Sequence, residues 1–295
     1  MLLQKLRALW QSDGLFRRVV RNSSYLFSSS AIGAALGMLN GILVTRLLGV
    51  DGYGLAVGTI ILFASNVNNL LAFRMYEAVV KFVGDALHAG DFPRAAALVK
   101  GIGLAEAVTS VAAYLVLAGL TPWAAAALGK DVSTAPLFLF YGLSLLGNLV
   151  FETARGVLQM TRRFDRLSQL GILQSAITTA LIGAAFVSGQ ASLWAVLGAY
   201  LAGKLLGGVA HAALAWRELD KTLPAGWLNT PLRTVTDWRA IGGFALNTNL
   251  HATVNLFARD SIPNLLAYLR PAEIAHLEVG YFRLAQGIIS LMMLP

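Results

Sequence analysis

The sequence predicts an all-α protein that crosses a membrane several times. Hydrophobic residues make up 57% and charged residues only 13% of its 295 residues, and its mean hydropathy is +0.65. Several separate apolar runs approach the roughly 20 residues that a helix needs to cross about 30 Å of hydrocarbon. Alternating strands of the barrel type are absent from the sequence. A polytopic bundle of helices is therefore the expected fold.

Each apolar run predicts one transmembrane helix. The short link around Gly189 also indicates that the fifth and sixth helices form an antiparallel hairpin. Two runs carry glycine at every fourth position, a pattern that favours close approach of neighbouring helices. These glycines are Gly33, Gly37 and Gly41 in the first run and Gly203 and Gly207 in the sixth. The eight predicted spans are Ser23–Thr45, Tyr53–Phe73, Val99–Leu120, Thr134–Thr153, Ser168–Val187, Ser192–Ala215, Ile241–Leu266 and Val279–Leu294.

The distribution of basic residues predicts the orientation. Most of the 23 lysines and arginines lie before the first span or in the loops that are expected on the same side of the membrane as the amino terminus. Cytoplasmic loops carry such an excess, so the amino terminus is expected to be cytoplasmic. A basic amphipathic leader precedes the first span, and that span is too long for a cleavable signal peptide. Because the charges alternate with apolar spans, the net charge of +8 indicates contact with membrane lipids and not with nucleic acid.

Three basic residues, Lys204, Arg259 and Arg283, lie inside apolar spans. A charge at the centre of a bilayer costs roughly 2.5 to 3.5 kcal/mol on insertion scales, so such residues are retained where they serve a site. Three cations in the membrane indicate that the protein binds an anion there.

The seventh span carries a polar ladder that ends at one of these cations. Asn247, His251, Asn255 and Arg259 follow each other at intervals of four residues, so they share one broad face of a helix. Such a face favours a water-filled cavity over contact with lipid. His251 has no cysteine or carboxylate at ligand spacing, so no metal site is expected.

Other charged residues extend the predicted site. Arg46 and Arg74 lie near the ends of spans, where they could contact the substrate or extend to the membrane surface. Glu106 and Asp260 could couple transport to an ion, or serve only as structural partners. The sequence has no metalloprotease, serine-hydrolase or P-loop motif and no long catalytic loop, which favours a carrier without cofactor over an enzyme.

An Arg-Leu-Leu-Gly turn followed by Tyr-Gly connects the first two spans within Arg21–Ile60. With Ala78–Val108 and the junction of the seventh and eighth spans, this stretch resembles bacterial oligosaccharide flippases of the multidrug/oligosaccharidyl-lipid/polysaccharide exporter superfamily. The residues that carry the resemblance are Arg46, Gly49, Tyr53, Gly54, Asp260, Gly280, Tyr281 and Ala285.

The resemblance implies two helical bundles that rock about a central cavity. It divides this chain into a cytoplasmic leader at 1–22, a six-helix bundle at 23–216, a cytoplasmic linker at 217–240, and the first two helices of a second bundle at 241–295. The sequence thus has the pattern of a truncated member of the family.

The activity implied is transfer of undecaprenyl-diphosphate-linked oligosaccharide across the bacterial inner membrane, for polysaccharide or lipopolysaccharide (O-antigen) biosynthesis. The intramembrane cations would then contact the diphosphate and the Asn247, His251 and Asn255 ladder the sugars, with polysaccharide assembly proteins as partners. Two alternatives stay open: a multidrug and toxin extrusion antiporter, which would favour acids in the cavity, and a membrane-embedded sugar-transfer or polymerising enzyme.

Overall fold

The protein is an all-α bundle in the computed structural model, which describes residues 14–71, 75–255 and 261–292. Short π- and 3₁₀-helical segments connect or interrupt the α-helices within these ranges. The α-helices are α1 (Gly14–Tyr53), α2 (Leu62–Leu71), α3 (Met75–Ala78), α4 (Gly84–His88), α5 (Phe92–Ala127), α6 (Ala135–Gly142), α7 (Phe151–Met160), α8 (Phe164–Val187), α9 (Leu193–Thr222), α10 (Trp238–Asn255), α11 (Ile262–Leu269) and α12 (Ala272–Met292).

Five helical stretches of the described chain are long and apolar enough to cross a membrane. They confirm a polytopic helical membrane protein. The stretches are Ser23–His88, Phe92–Ala127, Val132–Met160, Phe164–Val187 and Leu193–Thr222.

The first of these stretches contains two of the predicted spans, because the chain reverses near Gly49. Gly49 has φ 76° and ψ 172°, a conformation that interrupts α1 and that glycine adopts without a steric penalty. After the reversal, the Tyr53 hydroxyl lies 3.6 Å from the position that a Cβ on Gly41 would occupy. A straight helix would place these two residues about 18 Å apart along its axis.

The segment after the reversal is a π-helix, Gly54–Ile61, that is almost completely buried. It packs against α12. A Cβ added to Gly54 would lie 1.8 Å from the His276 carbonyl oxygen, and one added to Gly280 would lie 2.4 Å from the Val50 carbonyl oxygen. Only glycine permits this approach of backbone to backbone.

The fourth pass is a broken helix. It consists of the 3₁₀ segment Val132–Thr134, α6, the 3₁₀ segment Leu143–Asn148 and α7. Val150, with φ −142° and ψ 22°, lies between the 3₁₀ segment Leu143–Asn148 and α7, and its non-helical conformation interrupts the pass. Because the interior of a membrane offers no water to satisfy free backbone groups, such a break is tolerated only inside protein or beside a cavity.

The hairpin predicted from the link at Gly189 is confirmed by α8 and α9, which pack along their length. A Cβ on Gly203 would lie 2.0 Å from the Thr178 hydroxyl, and one on Gly207 would lie 2.5 Å from the Gln174 side-chain oxygen. These glycines therefore have the predicted packing role. Gly37 does not, because a Cβ there would meet no atom within 4 Å.

The bundle has two ends, and more basic residues lie in and beside the turns of one end than of the other. They are Arg94, Arg155, Arg162, Arg163, Arg166, Arg217, Lys221, Arg233 and Arg239 at one end, and Arg46, Lys130 and Arg270 at the other. We call the end that carries the turns at residues 88–92, 161–163 and 222–238 the basic end. Here Arg94 forms an ion pair with Asp237 at 2.8 Å, and Arg163 forms one with Glu218 at 2.9 Å.

We call the opposite end the far end; its turns lie at residues 128–131, 188–192 and 269–272. The Lys130 ammonium donates to the Tyr268 carbonyl at 3.0 Å, and a ring nitrogen of His276 lies 2.9 Å from the Leu128 carbonyl oxygen. These contacts join α11 and α12 to the first six passes at the far end.

Candidate functional site

A polar cavity of about 260 Å³ lies inside the first six passes, beside the break in the fourth pass. Its wall carries two carboxylates, one ammonium group, several amides and several hydroxyls. The lining residues are Ile61, Ala64, Ser65, Asn68, Asn69, Glu106, Ser110, Tyr141, Ser144, Leu145, Asn148, Phe151, Glu152 and Lys204. Two residues of the predicted site, Lys204 and Glu106, are therefore brought together in one cavity.

Glu106 binds the amino-terminal end of α7. It is 1% exposed, and its two carboxylate oxygens accept the backbone N–H groups of Glu152 at 2.7 Å and Thr153 at 2.8 Å. The first N–H groups of a helix have no partner within that helix, and the helix dipole favours a negative charge there. The carboxylate thus stabilises a helix end that the break has left inside the bundle.

Lys204 is a partly buried residue of α9. Its ammonium nitrogen lies 5.3 Å from the centroid of the Phe151 ring, and Glu152 contributes a favourable charge interaction. The same Phe151 ring also packs against the imidazole of His211, with centroids 4.7 Å apart. The break in the fourth pass therefore brings an aromatic face and a carboxylate to the one cation of the cavity wall.

Arg283 lies on α12, against the π-helical segment 54–61. A Cβ on Gly58 would lie 3.2 Å from the Arg283 Cγ, and one guanidinium N–H donates to the Gln286 side-chain oxygen at 3.0 Å. The buried Nε has no hydrogen-bond partner among the described residues.

Tyrosines connect the surroundings of Arg283 with the cavity. Tyr53 and Tyr141 belong to one buried hydrophobic cluster, against which Tyr200 and Leu284 of α12 pack, and Tyr141 lines the cavity. Sequence reasoning missed these tyrosines, because aromatic residues in apolar spans resemble ordinary packing residues. Glu152, two residues after the break at Val150, also lines the cavity.

Asn247, His251 and Asn255 of the predicted ladder lie on α10, but Asn247 faces away from the first six passes. Asn247 is exposed, whereas Asn249 is buried and its amide nitrogen lies 3.5 Å from the Leu70 carbonyl oxygen. Ile241, Ala245 and Asn249 form the buried face of this helix. Asn247 is therefore not part of the cavity around Lys204.

The remaining predicted residues divide into two groups. Arg46 is exposed near the end of α1 and does not line the cavity. The other residues lie outside the described part of the structure, either entirely or in their side chains. Arg74, Arg259 and Asp260 lie entirely outside the described residues. His251 and Asn255 lie on α10, but their side chains are not described. Within the described ranges, no group of three or more histidine, aspartate or glutamate side chains could hold a metal ion.

Comparison with known proteins gives two similarities. The family model described as polysaccharide biosynthesis protein matches residues 19–294. Inner membrane protein YghQ of Escherichia coli (strain K12) is 26% identical to the chain over 165 residues. That match covers 54% of this chain and 44% of the E. coli protein, so it spans less than half of that relative. No solved structure matches the chain.

Proposed function

Since the chain belongs to the polysaccharide biosynthesis protein family, whose model matches residues 19–294, we propose that it transports a lipid-linked oligosaccharide across the bacterial inner membrane. The substrate class is an oligosaccharide attached to a polyprenyl diphosphate. The name of the E. coli relative, an inner membrane protein, supports this location, and the basic end is proposed to face the cytoplasm.

The observation that carries the proposal is the polar cavity inside an apolar bundle. A cavity lined by an ammonium group, amides and hydroxyls can bind a phosphate and sugar hydroxyls, because each of these groups donates or accepts hydrogen bonds. Lys204 is the proposed contact of the diphosphate. The Asn68, Asn69 and Asn148 amides are proposed to bind the sugar.

The position of Lys204 makes it suited to a transient anion contact. No carboxylate of the described chain forms an ion pair with its ammonium within 4.0 Å; the ammonium instead lies near the Phe151 ring. An aromatic face stabilises a cation less than a phosphate does in a desolvated site. Within the described chain, a diphosphate can therefore bind Lys204 without first breaking an ion pair within 4.0 Å; it competes there with the weaker interactions of the Phe151 ring and the Glu152 charge.

Release of the substrate on the other side of the membrane requires the far end to open. That end is closed by the backbone approach at Gly54 and Gly280 and by the contacts of Lys130 and His276. Arg283 lies in the same seam between α12 and the segment 54–61. We propose that Arg283 contacts the anion once α12 moves, with Arg46, Arg74, Arg259 and the Asn247, His251 and Asn255 ladder forming the rest of the path.

Ion coupling is a further part of the proposal. Glu106 and Asp260 are the proposed coupling acids, and Glu106 already binds two backbone N–H groups. Protonation of Glu106 would weaken its hold on α7, which carries part of the cavity wall.

The test is translocation of a synthetic polyprenyl-diphosphate oligosaccharide in proteoliposomes, followed by the accessibility of its sugar to an added glycosidase. Replacing Lys204→Met removes the charge while preserving most of the apolar stem. A charge-assisted hydrogen bond contributes about 1.5 to 3 kcal/mol, so transport should fall roughly 10- to 100-fold. The matched control is Lys221→Met, on the same helix but exposed at the basic end.

Equal transport by the Lys204→Met and Lys221→Met proteins would contradict the proposed role of Lys204. Chemical conversion of the lipid-linked sugar by the purified protein, without its movement, would establish an enzyme and overturn the proposal as a whole.

One observation favours a second function, a multidrug and toxin extrusion antiporter. The cavity wall carries Glu106 and Glu152 against the single cation Lys204, and an excess of acids suits a cationic substrate. Exchange of an organic cation for protons or sodium ions by the same proteoliposomes, with no movement of the lipid-linked sugar, would support the antiporter instead.

A further inference from the structure

We propose that an apolar groove between α5, α7 and α9 binds one acyl chain of an anionic phospholipid, with the headgroup phosphate beside Lys100. The groove has a volume of about 380 Å³ and is lined almost entirely by apolar side chains. It lies on the outside of the bundle near the basic end. The inference does not depend on the proposed transport function.

The groove has a buried floor and an exposed rim. Val157 and Ala215 on its floor are 0% and 4% exposed, whereas Leu104, Trp216 and Leu228 on its rim are 57%, 47% and 48% exposed. A depression of this kind presents apolar surface to its surroundings. Within a membrane, those surroundings are hydrocarbon chains.

The length of the groove suits a segment of one hydrocarbon chain. Its walls include Lys100 to Ala107 on α5 and Ala212 to Leu219 on α9. Each stretch contains eight residues, and its first and last residues lie about 10 Å apart along the helix. The groove therefore extends from the polar end of the bundle into the apolar part of the spans.

Two tryptophans form its wall at the basic end. The rings of Trp216 and Trp227 are 5.3 Å apart at an angle of 55°, and the Trp227 indole N–H donates to the Asp220 carboxylate at 2.9 Å. The polar atom of Trp227 thus has a partner outside the groove, while its ring lines the groove. Tryptophan is enriched at the level of lipid headgroups, which places the mouth of the groove there.

Lys100 supplies the charge at this mouth. Its ammonium group donates to the Leu228 carbonyl at 2.7 Å and also to the Thr230 carbonyl. An ammonium group has three N–H donors, so one remains for a phosphate oxygen. A cation at headgroup level attracts anionic lipids, which selects an anionic phospholipid over a zwitterionic one.

The rest of the described chain leaves the groove open. α12 packs against α1 and the segment 54–61, and α11 packs against α12 and the segment 54–61. The segment 227–230 borders the groove at its mouth without filling it. The groove is therefore accessible to lipid in the described structure.

The test uses phosphatidylglycerol with a photoreactive diazirine in its acyl chain, in nanodiscs that contain the full chain. Peptide mapping after illumination should locate the label at residues 104–107 and 212–216. Ala107→Phe places a ring in the groove and should abolish this labelling. The matched control Ala112→Phe, at an exposed position of the same helix, should retain it.

The headgroup is tested by comparing phosphatidylglycerol with a phosphatidylcholine probe. Lys100→Gln should remove the preference for phosphatidylglycerol, and Lys100→Arg, which preserves the charge, should restore it. Equal labelling of the Ala107→Phe and Ala112→Phe proteins would overturn the proposal. So would equal labelling of the original chain by the two probes, or preferential labelling of the groove by a photoreactive polyprenyl phosphate.

Discussion

Replacing Glu106→Gln should destabilise the protein, because the Glu106 carboxylate stabilises a helix end inside the bundle. Each of its two oxygens accepts one backbone N–H, from Glu152 at 2.7 Å and from Thr153 at 2.8 Å. A glutamine has one acceptor oxygen and one NH₂ group. The substitution therefore leaves one of the two N–H groups facing another donor.

The magnitude follows from the bonds that are lost. A hydrogen bond to a charged group contributes about 1.5 to 3 kcal/mol, and a buried N–H without a partner costs about 1 to 3 kcal/mol, two figures that partly overlap. The favourable interaction with the helix dipole adds roughly 0.3 to 1 kcal/mol. Removal of a buried charge offsets part of this loss. A net loss of about 2 to 4 kcal/mol is expected once these opposing contributions are combined.

The assay is thermal unfolding in detergent at one fixed scan rate. A loss of this size corresponds to a decrease of about 4 to 8 °C in apparent Tm, at roughly 2 °C per kcal/mol for a chain of this length. The matched control is Asp85→Asn, the same change from acid to amide at an exposed position of α4; its Tm should remain that of the original chain.

A Tm for Glu106→Gln that equals or exceeds that of the original chain would refute this reasoning. It would mean that the buried charge costs more than its two hydrogen bonds contribute. That result is expected of a residue retained for ion coupling alone, so the sign of the change distinguishes the two roles of Glu106.

Three further predictions concern the far end and the helix contacts. Gly280→Ala should cost about 1 to 3 kcal/mol through overpacking, measured as a lower Tm, whereas Gly37→Ala should not lower it. Ser133→Ala should raise the pKa of Asp131 toward its ordinary value, measured by NMR titration, because the Ser133 hydroxyl and N–H hold that pKa low. The lowered pKa of Asp131 contributes to the stability of the folded state. This contribution is fully present at pH values above the ordinary pKa of aspartate, and it is lost as the pH falls through the lowered pKa. A single cysteine in place of Lys130 should react with an impermeant maleimide only from the periplasmic side; reaction only from the cytoplasm would reverse the proposed topology.

The helices were predictable because hydropathy alone detects them. Apolar runs long enough to span a membrane predicted the polytopic fold, and the short link at Gly189 predicted the hairpin of α8 and α9. The ends of the helices were less predictable: α9 continues to Thr222, past the predicted end at Ala215, because its polar last turns carry no apolar signal.

The candidate site was only partly predictable, because it depends on contacts between distant segments. Lys204 and Glu106 were recognised as polar residues inside apolar spans. The break at Val150 was not predicted, since the run Thr134–Thr153 looks like one continuous span. Glu106 accepts hydrogen bonds from a helix end 46 residues later in the chain. No periodic pattern in the sequence indicates such a contact.

Arg283 and Gly37 show the same limitation. The sequence placed Arg283 inside a span but could not indicate that it lies beside Gly58, between α12 and the segment 54–61. The glycine repeat of the first span predicted close packing along its whole length. Only the structure shows that no atom of a neighbouring helix lies close to Gly37.

The most direct test of the central proposal is whether the sugar headgroup enters the cavity beside Lys204. The chain has no native cysteine, so a single Ser65→Cys change places a benzophenone–maleimide label on the cavity wall. A Val108→Cys protein carries the same label on the exposed side of α5, where Val108 is 61% exposed. The proposal predicts that illumination links the oligosaccharide of a polyprenyl-diphosphate substrate to position 65 and not to position 108, and that excess unlabelled substrate prevents this. Absence of sugar at position 65, or equal linkage at both positions, would contradict it.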